Sequence, residues 1–371
     1  KGFMKINSTS ALLFGKFALT VSAGLIISTQ ALAWGSRGHA SICEAAVFLV
    51  KSQPLKEYLI NKPQMMGHLC NIPDIYWKSL SADARKLGDP THYINAEKLG
   101  LKIKDIPTDY KKIVEDYTGK ADPTENKIKV FSVPDELGSN WWRVDQFYRR
   151  AITNGQSLKE LPAPQNSKEE QNDDLAYNKN FYEMIVNMGL MGHFVGDASQ
   201  PFHSTSDYDG YAANHGGIHA YYEDASVAHF DANLVDRIVK KAKTIKTPTW
   251  VQQPSVVENM KIFSDLAVNE VKDILKVDPV IKPSTLKIEK GMSLKTPAER
   301  QPASIGFKKF EKLMLTEMAR SSYLLAHLWD EAYKSAGEPT MKSYKSYRYP
   351  LTPEFVAPDY FDVSIVKEKK K

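Results

Sequence analysis

Five stretches of this chain repeat apolar residues with the period of a helix, and none shows the convincing two-residue alternation of a half-buried strand. That contrast narrows the fold more than any other feature. Residues 38–50 put Ile42, Ala45, Ala46 and Leu49 on one helical face. The same spacing recurs at 141–153, 177–199, 257–275 and 307–336. With 371 residues, 42% of them hydrophobic and 25% charged, the chain has ordinary globular composition and can bury a sizeable core. The expectation is an all-α fold, a single multi-helix domain over 34–340, followed by a C-terminal extension and Lys-rich tail over 341–371. Residues 98–130 and 154–176 are rich in Lys, Asp, Glu, Asn and Pro and read as long polar loops.

The N-terminus reads as a targeting segment. Lys5 and Lys16 precede and interrupt an apolar stretch running over 17–27, and Ala31-Leu32-Ala33 follows, the pattern of a secretory signal cleaved before Trp34. The apolar stretch falls short of the ~20 residues a spanning helix requires. The protein is therefore expected to be exported, either secreted or periplasmic. Losing 1–33 removes Lys1, Lys5 and Lys16 and takes the formal net charge from +5 to +2. Such a balanced surface offers no electrostatic case for nucleic acid as a partner, and 367–371 reads as a solvated tail. The two cysteines, Cys43 and Cys70, fit a disulfide in an exported chain. They fit a buried thiol on the apolar face at Cys43 equally well.

The strongest local pattern is His193-Phe-Val-Gly-Asp197-Ala-Ser-Gln-Pro-Phe-His203. On a helix His193 and Asp197 project from one face, so an imidazole and a carboxylate can meet one cation. Pro201 then ends the helix and lets His203 turn toward a neighbouring position. Sixteen residues on, His219 and Glu223 repeat the i, i+4 pairing after an Asn214-His215-Gly216-Gly217 turn. One such pair is usually a surface ion pair. Two of them with a linking histidine are what a site for more than one zinc needs, because zinc takes His nitrogen and carboxylate oxygen in tetrahedral sets. Cleavage before Trp34 would also create an α-amine with an ordinary pKa near ~7.7–8.0, able to chelate a cation together with its carbonyl and His39.

Trp34-Gly-Ser-Arg-Gly-His39 behind a signal segment, together with His193-Phe-x-Gly-Asp197-x-x-Gln-Pro-x-His203, resembles the superfamily of bacterial zinc-dependent phospholipase C and the fungal and plant single-strand nucleases. A looser similarity runs through Asn71-Ile-Pro-Asp74-Ile-Tyr-Trp77 and Thr91-His92-Tyr-Ile-Asn95. The resemblance implies three Zn2+ per chain. Trp34, His39 and Asp197 would hold one; Asp74, His92, His193 and Asp197 a second, with Asp197 bridging; and His203, His219 and Glu223 a third. Asp74 is the least constrained of these, since Asp83 and Asp89 are also near His92 in sequence. The chemistry implied is phosphodiester hydrolysis by metal-activated water, with Asp74 and Asp197 as the catalytic carboxylates.

The substrate is either a phospholipid at a membrane surface or single-stranded nucleic acid. Glu223 in the third set, the short path from His203 and the Leu-Leu-Ala-His327-Leu-Trp-Asp330 segment resemble the phospholipases, while the Trp34–His39 motif resembles the nucleases. Phospholipase C is the preferred expectation. The alternatives are a secreted nuclease and a non-enzymatic, zinc-stabilised binding protein. No protein partner is implied. Tyr208, Tyr221 and Tyr222 read as pocket or packing aromatics. His68, His215 and His229 read as surface histidines and His327 as a core one, while Arg37, Arg143 and Arg149 read as phosphate contacts or ordinary surface charges.

Overall fold

The computed structural model describes residues 34–125, 128–289, 292–341 and 351–364. The expected leader, 1–33, and the tail at 367–371 lie outside them. Residues 31–371 cluster as one compact unit.

Six helices build the part of the fold that matters for the site: α1 (Gly35–Val47), α2 (Pro63–Ile72), α3 (Asn140–Glu160), α4 (Ala176–Ser199), α5 (Val256–Val268) and α6 (Ala303–Ser335). The helix α4 is the hub. Every residue from 184 to 199 is buried, the pattern of a helix surrounded on all sides. Its neighbours are α1, α2, α3, α5 and α6, and Phe181, Met188, Phe194, Trp141, Phe147, Leu325 and Trp329 fill the space between them. The segment expected to be one helix over 257–275 is two, broken at Asn269 and Glu270 before a short helix at Val271–Val277.

Glycines on α4 set how closely its partners approach. A Cβ on Gly192 would collide with the Cys43 sulfur, and one on Gly196 would lie 2.8 Å from His39 Nδ1. Between α1 and α2, Cys43 and Cys70 form a disulfide, which resolves the open choice about the two cysteines.

Three expectations need correction. The stretch 98–130 is not a plain loop: Tyr110–Tyr117 is helical, and Ile103, Ile106, Tyr110 and Ile113 are buried. Its apolar residues recur every three to four positions, and the surrounding lysines and acids mask them. Within 154–176, α3 continues to Glu160, and Ser167–Glu170 forms a further turn of helix. Finally, the fold is not purely helical. Val280–Lys282 (β1) pairs with Glu299–Arg300 (β4), and Thr285–Glu289 (β2) pairs antiparallel with Met292–Thr296 (β3). Five residues of alternation in β2 are too few to stand out against longer helical periods.

The C-terminal extension is tied to the helices. Trp77 Nε1 donates to the Pro353 carbonyl, Arg143 to that of Val356 and Gln146 to that of Ala357. Leu351 and Phe361 are buried.

Candidate metal centre

The side chains expected to bind metal come from six places in the chain. The α1 helix supplies His39. A turn of π-helix directly after α2 (Pro73–Trp77) supplies Asp74, and a 3-10 turn (Asp89–His92) ends on His92. One face of α4 supplies His193 and Asp197. Gln200 and Pro201 stop α4, so that the 3-10 turn Pro201–Ser204 carries His203 inward. Gly217, at φ 84°, reverses the chain into the short helix bearing His219 and the following π-turn bearing Glu223. All eight of these side chains are buried.

They fall into three groups, the first two overlapping, within each of which the donor atoms lie within 4.8 Å of one another: His39, His193 and Asp197; Asp74, His92 and His193; His203, His219 and Glu223. His193 belongs to two groups. Asp197 joins the same two, with Oδ1 3.4 Å from His39 Nε2 and Oδ2 2.9 Å from His92 Nδ1. Among the three carboxylates near His92 in sequence, Asp74 is the one in the centre, while Asp83 and Asp89 are exposed.

The donor set fits metal on three counts. A tetrahedral zinc about 2.0–2.1 Å from each donor puts the donors roughly 3.3 Å apart. The observed separations bracket that value: His92 Nδ1 to His193 Nε2 3.0 Å, His193 Nε2 to Asp74 Oδ1 3.7 Å, His203 Nε2 to His219 Nε2 3.0 Å, and His203 Nε2 to Glu223 Oε2 3.8 Å. Second, the backbone sets the tautomers. His193 Nδ1 donates to the Cys70 carbonyl and His203 Nδ1 to the His92 carbonyl, each at 2.7 Å, which leaves both Nε2 lone pairs facing inward. Third, Asp74 Oδ2 and Glu223 Oε1 are buried without a hydrogen-bond partner in the described structure, an expensive state for polar atoms that a cation would relieve.

The electrostatics agree. Burial pushes His193 and His203 well below the ordinary imidazole value, so both are neutral and able to ligate. Burial also works to raise Asp74. Its histidine neighbours and the Lys78 ammonium, 2.6 Å from Oδ1, outweigh that and hold it below the usual carboxylate range. With His193 neutral, Lys78 is the lasting cation there. Asp197 is pushed up by burial to about 7, against the opposing influence of His92 and, more weakly, Lys78. In the same way burial raises Glu223, while His219 is raised because Glu223 outweighs its burial.

Trp34 is wholly buried. Its indole N–H donates to the Gly196 carbonyl at 2.9 Å and to Ser199 Oγ at 3.0 Å, which pins the start of α1 beside Asp197. The Trp34 carbonyl already accepts from Gly38, and its backbone takes a left-handed φ of 51°.

Two supporting residues escaped sequence reasoning. Gln200 Nε2 donates to Glu223 Oε2 at 2.6 Å; it stands inside the motif that carries the histidines, so its position was a usable signal. Lys78 stands one helical turn after Asp74, and that spacing also was legible. A small cleft adjoins the second group, with Lys78, Arg85 and His92 among its polar walls and Trp77, Phe194 and Phe355 among its apolar ones.

Other candidates lie elsewhere. Arg143 is fully buried: its guanidinium packs 4.6 Å from the Phe147 ring centre and donates to Gln146 and Val356, so it braces the core and is no surface charge. Arg37 donates to the Ala228 and Asp231 carbonyls, and Arg149 pairs with Asp145 and Asp359. Tyr222 is core, its hydroxyl donating to Glu317, and the Tyr221 hydroxyl donates to the Gln301 carbonyl. Tyr208 alone of the three is half exposed, its ring edge-on to His219 at 5.6 Å. His215 pairs with Asp278 at 2.7 Å, His68 is half-buried against the Leu351 carbonyl, His229 is exposed and His327 is half-buried.

No protein-family model matches this chain, and no curated protein matches it.

Proposed function

We propose that this chain is a zinc-dependent phosphodiesterase, and within that class a phospholipase C that hydrolyses the glycerol side of a head-group phosphate to give diacylglycerol and a phosphoalcohol. The observation that carries the reading is three buried His/carboxylate groups, two of them joined through His193 and Asp197, with carboxylate oxygens of Asp74 and Glu223 left without hydrogen bonds. When bound, zinc ions in such a cluster supply positive charge for the phosphate and lower the pKa of water toward ~7.

The chain's own residues then have distinct work. His193 and His203 present lone pairs because two backbone carbonyls hold their other nitrogens. Lys78 keeps Asp74 ionised, and Asp74 Oδ2 has no competing hydrogen bond, so this oxygen can accept the proton of an attacking water. Gln200 fixes Glu223 by Oε2, the oxygen that faces His203 and His219, and leaves Oε1 without a hydrogen bond. Arg85, exposed at the rim of the adjoining cleft, offers positive charge to a phosphate.

The third group argues against a purely structural role for metal. It has three protein donors, whereas structural zinc is closed by four. Export and processing belong to the same reading. The disulfide suits an oxidising compartment, and no helix among the described residues is long and apolar enough to cross a membrane. Cleavage before Trp34 would free its amine and remove the preceding carbonyl that makes a left-handed tryptophan costly.

The test is a paired assay of zinc-loaded protein beginning at Trp34, against phosphatidylcholine vesicles and single-stranded DNA, with and without chelator. Chelator-sensitive phosphocholine release is expected. Nucleotide release alone would move the protein to nuclease chemistry. Retained zinc with neither activity would favour a zinc-stabilised binding protein.

A further inference from the structure

The β2/β3 ribbon is built unlike the rest of the chain. All five residues of β2 are exposed, and so are Ser293 to Thr296 of β3. Neither face of the ribbon is covered by the protein, and among the described residues its one ring contact is the Lys295 ammonium 4.9 Å from the Tyr211 ring centre. Yet it carries Leu286, Ile288 and Leu294, with Ile288 77% exposed, and Ile281 at 60% stands just before it. The register puts Leu286 and Ile288 on one side and Leu294 on the other, so apolar side chains project from both. A lone two-stranded ribbon is marginal in water, and clustered exposed apolar residues mark contact sites.

Its root, by contrast, is fixed. Arg300 pairs with Asp278 at 2.9 Å and donates to the Gly216 carbonyl. Ser284 is buried, its backbone N–H donating to the Asn214 carbonyl and its Oγ accepting from Gly216 N. Ala298 N donates to the Gly216 carbonyl as well. This clamp holds the turn at 214–217, which leads directly into His219. A rigid root under an apolar, unpartnered ribbon points to an element that meets something outside the protein. Charge selects the partner: Lys282, Lys287 and Lys295 are exposed on the ribbon and its approach, against two acids, Glu289 and Glu299.

We propose that the ribbon is a membrane-docking wedge that inserts Ile288, Leu286 and Leu294 into an anionic phospholipid surface while its lysines meet the lipid phosphates. Docking there would bring the bilayer to the side of the protein on which the 214–217 turn leads into His219. The inference goes beyond the phosphodiesterase reading and stands without it, because binding is measured without turnover.

The experiment mixes metal-loaded protein with dansyl-labelled vesicles in stopped flow. Energy transfer from tryptophan reads binding to phosphatidylcholine mixed with phosphatidylserine, and to phosphatidylcholine alone. Wild type should bind the anionic vesicles more tightly. Leu286→Asn with Ile288→Asn should weaken binding roughly tenfold or more on both surfaces. Lys282→Gln with Lys287→Gln should weaken it about fivefold per lysine on anionic vesicles alone. All four positions are exposed, and unchanged metal content and melting temperature would verify folding. Absence of vesicle binding by wild type, or equal binding by all variants, overturns the proposal. A dimer that dissociates in the Leu286/Ile288 variant, without vesicle binding, also overturns it and assigns the ribbon to self-association.

Discussion

Substituting Gly196 by alanine is the sharpest probe of the centre, because it alters no donor atom. A Cβ at this position would stand 2.8 Å from His39 Nδ1 and 2.9 Å from its Cε1, where ordinary contact begins at 3.4 Å. The imidazole must therefore retreat by about 0.6 Å. It has little room: His39 is fully buried and stacked 4.1 Å from the His193 ring. Metal–donor distances tolerate only about 0.2 Å, so the displacement exceeds what the first group can absorb. Overpacking costs about 1–3 kcal/mol, and alanine returns up to about 1 kcal/mol of helix propensity. The chelated variant should thus lie within about 2 kcal/mol of wild type in urea unfolding. Zinc per chain, measured by atomic emission after dialysis against buffered zinc, should fall by one, with the third group still loaded. Full zinc content together with increased stability would refute the argument, since it would mean that His39 moves freely or holds no metal.

Asp197→Ala should lose more zinc than Glu223→Ala, because Asp197 faces donors of two groups and Glu223 those of one; equal losses would dismiss the bridge. Residues left in front of Trp34 should lower zinc occupancy and activity by taking its α-amine out of coordination, and a fully loaded, fully active extended protein would contradict that. Away from the centre, burial holds the Glu317 carboxyl well above its ordinary 4.5, beside Glu270 and the Tyr222 hydroxyl, with Arg320 paired to Glu270. The native state then keeps a proton that the unfolded chain releases, so stability falls as pH rises above 4.5 until Glu317 itself ionises. The loss is at most about 1.4 kcal/mol per pH unit. Glu317→Gln should remove that slope in denaturant titrations across pH, and an unchanged slope would place the proton elsewhere.

Much of the centre was legible because its ligands come in local pairs. His193/Asp197 and His219/Glu223 are each one turn of helix apart, and Pro201 marks where α4 must stop, so three elements of the site could be read without knowing the fold. Asp74 was weaker, with Asp83 and Asp89 as rivals, and burial decided among them. Arg143 is neither the phosphate contact nor the surface charge expected of it, because nothing local to it foretells that Trp77, Phe147, Phe194 and Phe355 enclose its guanidinium.

By itself, then, the sequence determined the helical class, the place of α4 as an apolar segment and the donor types, all of which follow from spacings of three or four residues. The tertiary structure decided what depends on distant contacts: the pairing of Cys43 with Cys70, the tautomer of His193 set by a carbonyl 123 residues away, and the meeting of His92 with His193 across 101 residues. It also decided that the short β2/β3 ribbon stands clear of the helices. Periodicity records only which face of an element is apolar. Which faces meet, and which buried atoms are left without a partner, is set by packing of the whole chain.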